Sequence, residues 1–149
     1  MYRERKEDLS LYYWLKNLFL TTSYITIVDG FPTDNLVLPT ISVDAVSIDP
    51  RPHELGNRTR VNTRVWRIDV FAKNKSQRDE IGYKILNGLI DPIPVYDYDE
   101  GFPPDVSPTQ IGTLFIGDRR MEIIRVLPEL VETLYYRATI TFVAELDLL

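Results

Sequence analysis

The chain has 149 residues, 44% hydrophobic and 26% charged, which suits one domain with a sizeable core and is too apolar for a disordered chain. A formal net charge of −5 argues against nucleic-acid binding by the whole surface, though not by a local basic patch. The absence of cysteine removes disulfide and thiolate chemistry, and no apolar run approaches the length of a membrane span.

In chain order, the charged start "MYRERKEDLS" does not read as a signal peptide. Residues 3–20 predict a helix, with Leu11, Leu15 and Leu18 on one stripe and Tyr12 and Phe19 beside it. The lead-in 3–8 reads as a solvated first turn or a tail, with Asp8 or Ser10 capping a shorter helix. "SYITIVD" reads as a short strand ending at the Asp29-Gly30 turn. The segment 41–72 predicts a hairpin, "TISVDAVSID" returning as "RVNTRVWRIDVFA".

Residues 76–91 predict the clearest helix, with Ser76 and Asp79 as a capping box and Pro92 after its end. Its apolar face joins the row Ile81, Ile85, Leu89 to the row Gly82, Leu86, Ile90, and Gly82 permits a close approach. Residues 91–112 carry five prolines and read as a long rigid loop. The segment 113–146 supplies the C-terminal strands. "TLFIG" and "RMEIIRV" flank a Gly117-Asp118 turn, and the last strand buries its even positions Leu134 to Leu146. The whole of 1–149 is expected to be one α+β domain: a mostly antiparallel sheet of about five strands, two helices on one face, and a projecting hairpin.

Nothing in this chain spells out catalysis. The single histidine, His53, lies in a loop without a second imidazole or a thiol, which disfavours zinc. No nucleophile turn and no phosphate-cradling glycine loop occurs. The acids Asp97, Asp99, Glu100 and Asp105 miss the calcium-loop pattern, with Gly101 and Phe102 at its ligand and glycine positions. The expected sets of catalytic, metal and cofactor residues are therefore empty, and the chain is expected not to be an enzyme.

The stretch that asks for a function is "ELGNRTRVNTRVWRIDVFAKNKS", with Arg58, Arg60, Arg64 and Arg67 close together. Its apolar face is odd before Val65 and even after Trp66. The partner strand changes the same way, from Ile41, Val43 and Ala45 to Val46 and Ile48. With paired positions summing to about 111, the two changes lie opposite each other, which calls for a bulge or a twist. The base of the hairpin is then core, and 46–49 with 61–65 forms an arm around the 50–60 loop. In one reading the arginines pair with acids on neighbouring strands. In the other, Arg58, Arg60 and Arg64, with Glu54 and Asn57, form a subunit or partner interface, for which arginine's planar fork is suited.

From about residue 36 to 146, the order "LPTISVDAVSID", loop, "RVWRIDVFAKNKSQRDEIGYKILNGLI", variable loop, hairpin and "YYRATITFVAEL" resembles the tail terminator (tail completion) proteins of long-tailed bacteriophages, and more loosely other small neck proteins. The resemblance implies a structural virion subunit at the tail-to-head junction, assembled in the host cytoplasm. It implies a homo-oligomeric ring, usually a hexamer, that ends the tail tube and joins it to the head-side connector protein. DNA would pass through it transiently and without specificity, and no membrane is involved. A head–tail connector or tail adaptor of similar fold, or an unrelated soluble binding domain, are the alternatives.

Overall fold

The computed structural model describes residues 1–22, 24–30, 37–52, 60–124 and 136–148, and the side chains of 48–52 and 60–62 lie outside that description. Two helices and six strands follow in the order α1 (Arg3–Leu18), β1 (Thr26–Asp29), β2 (Thr40–Pro52), β3 (Arg60–Ala72), α2 (Lys75–Gly88), β4 (Ile93–Asp97), β5 (Thr109–Ile124) and β6 (Tyr136–Leu148). They form the expected α+β architecture, with one strand more than expected. The sheet order is β1-β2-β3-β6-β5-β4, and only β1 and β2 run parallel.

Both helices pack on one face. Leu11, Leu15 and Phe19 of the first helical segment meet Ile81, Ile85 and Leu89 of the second over Ile41, Val43, Trp66, Ile68, Val70 and Phe142. The even positions 138–144 of β6 are buried and the odd ones between them half-buried, as the alternation predicts, but Tyr136 is exposed, Leu146 is half-buried, and Leu134 lies outside the described residues. In α2 the expected second row is only partly inward: Gly82 is buried, whereas Ile90 lies past the helix end and is exposed. The cap of α2 is Asn74 rather than Ser76. Its side chain accepts from the Gln77 N–H at 2.8 Å, and Gln77 Oε1 accepts from the Lys73 N–H.

The sheet curls so that α1 reaches both of its edges. Arg5 pairs with Asp29 at the end of β1, and Lys6 pairs with Asp97 at the end of β4, 2.9 Å away. The charged lead-in is therefore neither a tail nor a solvated turn. The helix starts at Arg3, and Asp8 and Ser10 sit inside it rather than capping it.

Three strand expectations are corrected. The "loop" 91–112 contains β4, whose Ile93 and Val95 are fully buried. Proline disguises it, but an edge strand tolerates Pro94 because one side of it needs no ladder donor. Gly117-Asp118 is not a hairpin turn. Between Ile116 and Arg119 the β5–β6 register shifts by one residue, so the pair forms a bulge inside one long strand. Finally, the face change belongs to β2 alone. The register runs from Thr40 opposite Phe71 to Ala45 opposite Trp66, then shifts at Val46. β3 has no such break, since it pairs with β6 without interruption from Thr63 to Ala72.

The projecting arm is consequently shorter than expected. Residues 63–65 belong to a central strand, and only the ladder of 50–52 with 60–62 continues past the last β3–β6 pair, Thr63 opposite Glu145.

Gly82 carries a modest prediction. A Cβ there would lie 2.6 Å from Met121 Cε, the free end of a flexible side chain that can swing aside. Gly82→Ala is expected to range from neutral to about 1 kcal/mol stabilising, through helix propensity. Urea denaturation checks it, and a clear loss would show that Met121 is held fast.

Candidate interaction surface

The residues proposed as an interface separate in the structure. Glu54, Asn57 and Arg58 lie outside the described residues, as does His53. Arg60 is placed on the β2–β3 ladder opposite Pro52, with its side chain outside the description. Arg64 is the correction: it does not line an arm but is 5% exposed, on the same face of β3 as Trp66 and Ile68. An arginine can occupy a core position only if its fork is paired, and here the N-terminal half of α1 supplies the partners.

Arg64 Nη1 donates to the Glu4 carbonyl at 2.9 Å and to Glu7 Oε2 at 3.2 Å, and lies 3.1 Å from Asp8 Oδ1. Its guanidinium carbon sits 4.6 Å from the centre of the Trp66 ring, and Trp66 Nε1 donates to Asp8 Oδ1 at 2.8 Å. Glu4, Glu7, Asp8 and Arg64 thus bolt α1 to the central strand. The Glu4 carbonyl lies one helical turn before the side chains of Glu7 and Asp8, so a single guanidinium reaches all three.

Glu7 is fully buried, and burial pushes its carboxyl up to about 7 against the attraction of Arg64 and, more weakly, Arg3. Its folded value therefore exceeds the unfolded one. That contribution to stability is complete below about pH 4.5 and is lost as pH rises through about 7. We expect the melting temperature to fall with pH between pH 5 and 8 more steeply in the natural chain than in Glu7→Gln. Parallel slopes would contradict the burial of an ionisable Glu7.

Asp97 and Asp99, two of the acids that miss the calcium-loop pattern, stay partly exposed and pair with the start of α1. Lys6 Nζ lies 2.9 Å from Asp97 and 2.8 Å from Asp99, and the amino group of Met1 is 3.0 Å from Asp99. Lys6, and after it the Met1 amine, hold the Asp99 carboxyl down at about 2. No group of three or more metal-ligating side chains occurs among the described residues.

On the sheet face away from the helices, Asp69 is the buried hub. Arg137 Nη2 and Thr139 Oγ1 donate to its Oδ1 at 2.9 and 2.8 Å, and Arg67 Nε lies 3.3 Å from Oδ2. Of the four clustered arginines, Arg67 thus pairs with an acid, but one on its own strand rather than on a neighbouring one. A cleft of about 320 Å³ separates α1 from β4, lined by Ser10, Tyr13, Trp14, Asn17, Pro94 and Tyr96. Tyrosine, tryptophan and amide groups can grip a surface there, but the lining holds no carboxylate, imidazole or ammonium group for proton transfer.

What remains open to a partner is sheet edge. β4 pairs with β5 only up to Leu114, and β1 pairs with β2 only up to Val43. Among the described residues, 115–124 of β5 and 44–52 of β2 are each paired with one neighbouring strand. No motif announces such an edge, although the lengths of β4 and β5 would have revealed it had β4 been recognised. Comparison with models of known protein families gives no match, and comparison with curated proteins gives none.

Proposed function

We propose that the chain is a structural subunit of a phage-type virion, a tail terminator that assembles into a ring at the tail-to-head junction. The observation that carries this reading is the pair of half-open sheet edges, backed by the hairpin ladder that runs on past the sheet. A subunit whose described residues leave part of each sheet edge unpaired is equipped for contacts that repeat head to tail, and such contacts close into a ring when the rotation allows. The polar groups buried in the fold hold elements together: Arg64 binds α1, and Asp69 joins β3 to β6. That economy suits a protein that works through surfaces, without catalysis. The net charge of −5 suits a lumen through which DNA must pass without being retained.

The test is genetic. Deleting the coding sequence from the genome that carries it is expected to leave tails of uncontrolled length that do not join heads. Normal tails on joined heads would refute the proposal. Arg64→Glu is not a useful surface probe, because it would unseat α1.

A further inference from the structure

Helix α1 guards half of each sheet edge. On β4, Pro94 has no N–H, and the Tyr96 N–H donates outward to Ser10 Oγ at 3.1 Å. On β1, Arg5 of α1 holds Asp29, and Ile25 and Ile27 pack on the core. Covering an edge with a helix and placing proline on it are two ways in which proteins prevent strand addition. Among the described residues, the other half of each edge has no such cover. Among the described residues, no element pairs with the outer side of 115–124 or of 44–52.

Both open stretches carry exposed apolar side chains. Phe115 is 49% exposed and Ile123 46% on β5, and the bulge residue Val46 is 54% exposed on β2. The two stretches also overlap in height: Ala45, Trp66, Phe142 and Arg119 follow one another across four strands. Within the sheet β2 and β5 run in opposite directions, because three antiparallel pairings separate them. Copies related by rotation alone therefore bring β5 of one against β2 of the next in antiparallel sense. Unlike charges lie within the paired lengths. β2 offers Asp44, exposed and without an ion pair among the described residues, and β5 offers Arg120, exposed and shared with Glu122 of its own strand at 3.2 Å, whereas Arg119 Nη1 donates to the Leu86 carbonyl at 2.7 Å.

We infer that the open edge of β5 accepts the open edge of β2 from a second copy of this chain by antiparallel strand addition. This deepens the ring reading and rests on it: each copy presents one accepting and one donating edge, so the contact is heterologous and propagates around a ring. The bulge at Gly117-Asp118 bends β5 locally, and a stagger between neighbours is absorbed by tilting the strands against the ring axis.

The absence of natural cysteine makes cross-linking a direct test. Val46→Cys is combined in turn with Arg119→Cys, Arg120→Cys and Glu122→Cys in the full chain, followed by mild oxidation across a concentration series. At least one double variant is expected to give a covalent ladder, since paired strands bring Cα atoms within disulfide reach. The single variants should give none. Phe115→Lys with Ile123→Lys should weaken self-association at least tenfold while leaving the circular dichroism spectrum unchanged. Rings without a ladder in any double variant would overturn the edge pairing and leave the ring reading standing. Ladders in open chains that never close would uphold the pairing and overturn the ring. Single β5 variants that cross-link to themselves, or a chain that stays monomeric and uncross-linked throughout, would overturn the pairing.

Discussion

Arg64→Ala is expected to cost about 3–5 kcal/mol of folding stability, the loss typical of removing one partner from a buried ion pair. The side chain of Arg64 is 6% exposed and that of Glu7 1%, so neither can find water when the other is removed. Without the guanidinium, the Glu4 carbonyl loses a donor, and Glu7 and Asp8 lose their shared cation. The penalty is also pH-dependent. Glu7 already titrates near 7, and losing Arg64 removes the attraction that favours its charged form. At pH 5 the orphaned carboxyl is protonated and the loss shrinks. At pH 8 it must either stay charged without a partner or take up a proton, and the loss is larger. Denaturant titrations at the two pH values check both statements, and a loss below about 1 kcal/mol at each would contradict the buried pairing.

Trp66→Ala is expected to cost a similar amount, about 3–5 kcal/mol, by a different route. Trp66 is fully buried, and its ring stacks on Phe142 with centroids 5.7 Å apart. Truncation opens a cavity between the central strands and α1, and it strips Asp8 of the indole N–H. Trp66→Phe should recover part of the packing but not the hydrogen bond, and so fall between the two. Arg64 lies over the same ring, so the double replacement should cost less than the sum of the single ones. Strict additivity would mean that the helix anchor and the aromatic core are independent.

Much of the fold was legible because it follows from period and register. The last strand alternates strictly, α2 shows its apolar row, and the β2–β3 register is fixed by the apolar residues that must face the helices. Arg64 was misread for a physical reason. Its even position places it inward with Trp66, but arginine is so seldom buried that it reads as solvent-facing. Its licence for burial sits in a distant segment, where Glu4, Glu7 and Asp8 look like a polar lead-in. β4 was hidden by Pro92 and Pro94, and the Gly117-Asp118 bulge by its likeness to a hairpin turn. Open edges leave no composition signal at all. They arise from a mismatch in strand length, which appears only once every strand is known.

We propose that this chain acts as a ring subunit at a tail-to-head junction. Imaging of the assembled particle, with the chain carrying an added C-terminal label, tests it most directly. Label is expected in a single ring where tail meets head, with adjacent copies joined edge to edge. Label spread along the tail, or complete particles that contain none of the chain, would contradict it.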